Sequence, residues 1–528
     1  MKKIFFAFLT VVSVALPTFP QTSRPNIIYI MSDDHDDDAI SAYRQLAGTP
    51  QKDKIMIQTN SIDRMAREGM LFASAFVSNS ICSPARATVL TGKFSHMNGV
   101  KDNGTPFDTS QYTFIKQMHK SGYQTAIIGK WHLHITPSGF DYFSILPGQG
   151  VYYSPRFVRA KDTTIFREGY ATEEITRQTL EWLDRRKSDK PFVLMMHHKA
   201  PHRNWVPALK YLEMFSKMKF AEPATLFADT TGRGKAFRDQ KMSILNDMNL
   251  CIDLKIDPNY LEDIPHLKPP ADQIREYQHQ MDLIPPLVRE RIQEIYSERG
   301  KILRNNKPQG RELLALKFQW YMQDYMACVA SVDESVGNIL NYLDSHHLSE
   351  NTIVFYTSDQ GFYLGENGWF DKRFMYDVSM KTPLLVRWKG HIRPNVVSRA
   401  LVQNIDLAAT FLDLSGMPVP NEMQGLSLKP ILLGESKKLS RPSLYYHYYE
   451  YPDDHNVHPH LGVRNEQYKL IYFYTINEWE LYDLKKDPDE QTNLIANPAY
   501  KRLIHSLKEE LNRQRSHYKD LEPAGSLN

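Results

Sequence analysis

Four short apolar runs in this chain stop abruptly at polar, chemistry-bearing residues. In PNIIYIMSDDHDDD the run Asn26 to Met31 ends in carboxylates, and in QTAIIGKWHLH a second ends at Lys130 and His132. PFVLMMHHKAPHRNW ends at His197, His198 and His202, and NTIVFYTSDQG carries Ile353 to Thr357 into Asp359 and Gln360. Runs of this length bounded by polar residues predict buried strands, and amphipathic helical patterns such as Thr172 to Arg186 and Trp320 to His346 lie between them. Alternation of the two predicts an α/β fold, a large mostly parallel sheet flanked by helices. Ligands of such sheets bind outside the carboxyl ends of the strands, and all four polar clusters belong to that edge.

Two segments break the alternation. Residues 206–318 are rich in Met, Lys and Pro with helical pieces such as Pro286 to Glu298, and predict a helical insertion over one side of the sheet. From about Ser440, SLYYHYYEY, HLGVRNEQYKLIYFY and WELYDL alternate as strands of a small antiparallel sheet, followed by a helix from about Tyr500 to Tyr518. The expected organisation is therefore a catalytic α/β domain over residues 23–438 and a smaller C-terminal α+β subdomain over 439–528.

The first 22 residues stand outside this pattern. Lys2 and Lys3 precede an apolar run, Ile4 to Leu16, too short for a membrane span, which is the make-up of a secretory signal peptide. Cleavage is expected between Ala15 and Ser23, with no cysteine there to carry a lipid anchor. The mature chain is expected to be exported and soluble, in the periplasm of a Gram-negative bacterium, with no membrane anchor. A formal net charge of +3 over 528 residues, with no basic run, gives no case for nucleic acid. Three cysteines, Cys82, Cys251 and Cys328, are too few for a disulfide scaffold; a bridge between Cys251 and Cys328 stays open.

Cys82 sits in a distinctive context. Cys82-Ser83-Pro84-Ala85-Arg86, followed by Leu90-Thr91-Gly92, resembles the signature of the type I sulfatases. The likeness runs from about Pro25 to Leu494 through Asp33-Asp34, Gly129-Lys130-Trp131-His132, Ala200-Pro201-His202, Ser358-Asp359-Gln360-Gly361, Lys372 and LYDLKKDPDEQTNL, in the family's order. It implies the alkaline-phosphatase-like fold and hydrolysis of sulfate esters, with Cys82 oxidised after translation to Cα-formylglycine by a formylglycine-generating or anaerobic sulfatase-maturating enzyme. A hydrated aldehyde has one hydroxyl to attack sulfur and a second whose deprotonation expels sulfate, an exit that a serine or cysteine lacks.

The resemblance implies the remaining roles. Asp33, Asp34, Asp359, Gln360 and the modified Cys82 hold one Ca²⁺, which hard oxygen donors favour over zinc. Arg86 stabilises the hydrate, Lys130 and Lys372 neutralise sulfate oxygens, His132 helps to deprotonate the free hydroxyl and His202 serves the leaving oxygen. Gln360 departs from the asparagine common in the family, although an amide oxygen serves either way. SDQGFYLGENGWFDKRFMYD and HHKAPHRNWVP most resemble branches that remove the 6-O-sulfate of N-acetylglucosamine, in heparan sulfate or mucin-type glycans. The loops Gly365 to Arg373 and Tyr445 to His460 are expected to frame the sugar, with Asp453 and His455 joining Lys130, His202 and Lys372 as substrate-binding residues, in a closed pocket suited to a chain end. The alternatives are a sulfatase for another glycosaminoglycan position, a phosphatase or phosphodiesterase of the same fold, with two zinc ions and a Ser or Thr nucleophile, and a non-catalytic glycan-binding homologue.

Overall fold

A computed structural model describes residues 24–46 and 57–524. The expected signal peptide lies outside the described residues. At the centre is a ten-stranded sheet, in the order Val396–Ser398, Met70–Phe72, Leu384–Arg387, Thr352–Ser358, Asn26–Ser32, Phe192–His197, Gln124–Lys130, Tyr142–Leu146, Arg156–Arg159 and Thr163–Ile165. The five strands from Thr352–Ser358 to Tyr142–Leu146 run parallel. Antiparallel pairings occur at both edges, so the sheet is mixed around a parallel centre.

The central strand explains why both faces are covered. Successive side chains of a strand point to opposite faces. Ile28 and Ile30 pack on one side with Tyr43, Ile62, Ile175, Leu183 and the helix Gly310–Ser345. Ile27, Tyr29 and Met31 pack on the other with the helices Cys82–Thr91, Phe114–Lys120 and Asp406–Leu414. None of these five strand residues is more than 1% exposed, which is why the sequence reads as a continuous apolar run rather than an alternating one.

The segment 206–318 carries the helices Leu209–Phe215, Lys235–Asp239, Ala271–Asp282 and Pro286–Asn306, and leads into Gly310–Ser345. The C-terminal part forms a four-stranded antiparallel sheet, Leu444–Tyr448, His460–Arg464, Tyr468–Phe473 and Glu478–Asp483, covered by the helix Lys501–His517. Its other face packs Tyr446, Tyr448, Ile471 and Phe473 onto Phe374, Met375, Tyr376 and Met380, directly after Lys372. The small sheet is thereby fastened to the carboxyl edge of the large one. No helix among the described residues is long and apolar enough to cross a membrane.

Candidate active site

Each of the four central strands delivers its polar residues to one place. Asn26–Ser32 ends immediately before Asp33 and Asp34, and Asp34 turns the chain with φ +62°, a conformation that Asp tolerates better than most residues. Leaving the strand lets adjacent carboxylates meet instead of pointing to opposite faces. The Asp359 amide donates to the Ser32 carbonyl (3.2 Å) and the Asp33 amide to the Ala200 carbonyl (3.3 Å). These bonds tie the ends of three strands together. Gly129, one residue before Lys130, has φ +109°, and a Cβ there would stand 1.8 Å from the His197 carbonyl oxygen. Only glycine permits this approach.

Cys82 opens the helix Cys82–Thr91, and Arg86 follows one turn later on the same face. Pro84 is tolerated because it lies in the first turn, where backbone N–H groups have no helical acceptor. The Ser83 hydroxyl donates to the His132 carbonyl (2.6 Å), docking the helix start against the second strand end.

The side chains converge. Cys82 Sγ lies 3.5 Å from Asp33 Oδ1 and 3.7 Å from Gln360 Nε2. Arg86 reaches Asp359 Oδ2 (2.8 Å), the Lys130 carbonyl (2.9 Å) and Asp33 Oδ1 (3.7 Å). Lys130 pairs with Asp33, and Lys372 lies 2.7 Å from both oxygens of Asp34. His202 Nε2 is 3.7 Å from Asp34 Oδ2, its Nδ1 held by the Arg203 carbonyl at 2.5 Å. Three carboxylates thus face three cations in a volume almost closed to water; Asp33, Asp34, Asp359, Gln360, Cys82 and Lys130 are each at most 2% exposed.

The electrostatics follow from that burial. Against the burial, Lys130, His202 and Arg86 hold Asp33 well below the ordinary carboxylate range. Burial and the neighbouring Asp33 push Asp359 up to about 7 despite Arg86, and burial also raises Asp34. Burial, with Lys130 and Arg86, takes His132 down to about 2, so it is neutral, and its Nδ1 is buried without a partner. The Cys82 thiol is pushed up by burial, which leaves it a protonated thiol and a poor nucleophile as it stands.

The site fits a hard cation. Oxygens of Asp33, Asp34 and Asp359 lie within 4.8 Å of one another, and Gln360 Oε1 is buried with no hydrogen-bond partner. A divalent ion would satisfy the orphaned oxygen and offset the charge that raises Asp34 and Asp359.

The sequence-derived sugar-binding residues fare differently. The strand Leu444–Tyr448 takes up the start of the expected Tyr445 to His460 loop, with Tyr445, Tyr446 and Tyr448 buried in the core. His455 is also buried, with Nε2 3.2 Å from Asp371 Oδ2 and Nδ1 2.8 Å from the Lys241 carbonyl. With both ring nitrogens engaged it orients Asp371 and has none left for a sugar hydroxyl. Asp453 stays half-exposed, 3.4 Å from Arg373. Arg373, which also binds Glu450 Oε2 at 2.5 Å, closes the expected Gly365 to Arg373 loop but had been given no role of its own. Gln149, which accepts from Lys130, was missed, and His197, picked out at its strand end without a role, lies 3.4 Å from Arg86. Lys199, buried beside His202, was missed because a single lysine among histidines carries no distinguishing spacing.

A family model described as Sulfatase matches residues 25–417, and one described as N-sulphoglucosamine sulphohydrolase, C-terminal, matches 365–517. The chain is 44% identical to an N-acetylglucosamine-6-O-sulfatase of Bacteroides thetaiotaomicron over 523 residues, 98% of this chain and 91% of that protein. It is 26% identical to the human N-acetylglucosamine-6-sulfatase over 442 residues, 79% of this chain and 65% of that protein. A solved structure of a protein in complex with its substrate, D-glucosamine-2-N,6-O-disulfate, superposes with a TM-score of 0.89 at 44% identity, covering 95% of this chain and 99% of that one. Phosphonate monoester hydrolase of Agrobacterium radiobacter shares the fold alone, at TM-score 0.65 and 19% identity, over 94% of this chain and 96% of that one. A buried cysteine at a helix start, ringed by strand-end carboxylates and cations, together with a family match over most of the chain, places this protein in the sulfatase family.

Proposed function

We propose that this chain hydrolyses the 6-O-sulfate ester of an N-substituted glucosamine, N-acetylglucosamine-6-sulfate first among them, at the end of a heparan-type or mucin-type glycan. The observation that carries the chemistry is the convergence on Cys82 of Lys130, Lys372, Arg86 and His202 around three carboxylates. The sugar rests on the 44%-identical relative. The reading also takes the N-terminal run as an export signal, and the periplasm as its destination.

Converted to Cα-formylglycine by a maturating enzyme, residue 82 would supply an aldehyde hydrate, and a calcium ion held by Asp33, Asp34, Asp359, Gln360 and that residue would supply positive charge beside the sulfate. Lys130 and Lys372 enter from opposite carboxylates, Asp33 and Asp34, and a sulfate between them accepts from both ammonium groups. Arg86, braced by Asp359 and the Lys130 carbonyl, orients residue 82 and its hydroxyls. Neutral His132 has a free ring nitrogen to take a proton from a hydroxyl. His202, anchored through Nδ1, presents Nε2 to the leaving oxygen. Burial and Lys130 hold its basicity down, and the negative charge of an arriving sulfate acts in the opposite direction, favouring the protonated form that a leaving oxygen needs.

The test is turnover on defined sugars by chain co-expressed with a maturating enzyme. The residue-82 peptide should be about 18 Da lighter than its cysteine form, as thiol-to-aldehyde conversion requires, and Cys82→Ala should be folded and inactive. N-acetylglucosamine-6-sulfate should be cleaved far faster than galactose-6-sulfate, whose 4-hydroxyl is inverted. Equal rates on the two sugars, or preference for a 2-O- or 3-O-sulfate, would overturn the sugar; full activity of Cys82→Ala would overturn the mechanism.

A further inference from the structure

A trough leads away from the catalytic groups. Next to His202, Gln149, Lys199, Arg203, Glu276 and His279 line a cavity of about 280 Å³. Through Gln149, Gly150, Val151 and His279 this cavity shares its walls with an open cleft of about 960 Å³, bordered farther out by Arg156, Arg167 and Glu168. The larger space is at the upper end of the roughly 300–1,000 Å³ usual for ligand sites. Its inner end is catalytic ground, because Gln149 accepts a hydrogen bond from Lys130.

Lys199 stands at that inner end, 5% exposed. Its ammonium group has the Arg203 carbonyl at 3.5 Å and the Tyr152 ring at 5.0 Å. Among the described residues it has no carboxylate within ion-pairing distance. Three other buried lysines do: Lys130 has Asp33, Lys372 has Asp34, and Lys255 has Asp324 at 2.8 Å. Buried Lys317 has no ion pair among the described residues but donates to the Leu245 and Met248 carbonyls at 2.8 and 2.7 Å, closer contacts than Lys199 makes. Burial and Lys130 bring Lys199 down to about 7. Burying an ammonium group without a counter-charge is costly, and the cost is recovered when an anion arrives. Arg203 is no substitute, since Asp253 takes two of its nitrogens at 2.7 and 2.9 Å. Farther out the lining carries both signs of charge, Arg156 and Arg167 beside Glu168 and Glu276, so Lys199 is, among the described residues, the buried cation of the trough without an ion-pair partner.

We propose that Lys199 binds a second anionic substituent of the substrate, separate from the sulfate that is cleaved, with the trough receiving the sugar chain that bears it. This deepens the proposed function and rests on it. Two groups share the required chemistry, a sulfamate on the same glucosamine and the carboxylate of an adjoining uronate. Either selects heparan-type chains over a neutral N-acetyllactosamine chain.

The experiment compares kcat and KM of wild type and Lys199→Met on three substrates: N-acetylglucosamine-6-sulfate, glucosamine-2-N,6-O-disulfate, and a disaccharide joining 6-sulfated N-acetylglucosamine to a uronate. Wild type should prefer at least one doubly anionic substrate by about tenfold in kcat/KM, about 1.4 kcal/mol, and Lys199→Met should lose that preference through KM. Collapse in the sulfamate arm alone assigns the site to the same ring; collapse in the uronate arm alone assigns it to the neighbour. A preference unchanged by the substitution, or one lacking in wild type, overturns the proposal. Calorimetry on the wild-type chain needs no variant: glucosamine-2-N-sulfate or the unsulfated uronate disaccharide should bind about tenfold tighter than N-acetylglucosamine, and equal weak binding of all three overturns the proposal. Failure of wild type to cleave any of the three 6-sulfates overturns the proposed function instead.

Discussion

At the residue scale the site depends on geometry that conservative replacements do not reproduce. Arg86 bridges Asp359, Asp33 and the Lys130 carbonyl with one planar fork. A lysine would keep the charge but reach one of these at a time. Arg86→Lys should therefore lower kcat by about 10²-fold or more, the size seen when one preorganised donor is removed, with little change in melting temperature. An unchanged kcat would remove Arg86 from the mechanism. The acidic trio gives a second expectation. With Gln360 Oε1 buried and unpaired, and Asp34 and Asp359 raised by burial, calcium should stabilise the fold by binding the native state alone. Chelation should lower the melting temperature and abolish turnover, and calcium should restore both. Restoration by zinc alone would mean that the ligands have been misassigned.

At the element scale, the short helix Asp377–Met380 couples the catalytic loop to the C-terminal sheet. Asp377 holds Arg464 at 3.0 and 2.8 Å and Lys469 at 2.7 Å, on two neighbouring strands. Against burial, those two cations hold its carboxyl well below the ordinary range. A carboxylate depressed in the folded state contributes stability that is full above its unfolded value, near 3.9, and is lost as pH falls toward the folded value. Asp377→Asn should therefore cost about 2 kcal/mol at pH 7, less than removing one member of a fully buried pair, because the Asp377 side chain is 21% exposed. The gap between wild type and variant should narrow as pH falls below about 4, where the carboxyl begins to protonate in the unfolded chain while the folded one stays ionised. Denaturant unfolding at pH 7 and at acid pH checks both points, and a gap that does not change with pH would refute the assignment.

At the scale of the whole molecule, the two sheets form one working unit. Phe374, Met375, Tyr376 and Met380 follow Lys372 and are covered by Tyr446, Tyr448, Ile471 and Phe473. Glu450 and Asp453, from the loop after the first small strand, hold Arg373. A chain ended at residue 438 would expose this apolar face beside the site. It should aggregate or elute as large oligomers in size-exclusion chromatography, with no sulfatase activity. A monomeric, active truncation would show the C-terminal sheet to be an appendage. The sheet-level plan was legible from the start, because strands buried on both faces, such as Asn26–Ser32, are written as apolar runs. The antiparallel strands near the two edges were not, because strands as short as Leu384–Arg387 and Arg156–Arg159 carry too few residues to declare a direction.

What the sequence determined by itself was local chemistry with a fixed spacing. Cys82 and Arg86 lie one helical turn apart, Asp33 and Asp34 follow a strand end, and Lys130 closes a strand of its own. Each relation spans a few residues of regular backbone, so the residue types and their separation suffice. Packing between distant segments settled which long-range neighbours use up a side chain's bonding capacity. His455 looked like a free ligand until Asp371 and the Lys241 carbonyl, 84 and 214 positions away, took both its nitrogens. Lys199 looked ordinary in the sequence, yet among the described residues no carboxylate comes within ion-pairing distance of it. Whether a buried polar group is satisfied or still wants a partner depends on what packs against it, and packing between distant segments leaves no periodic trace along the chain.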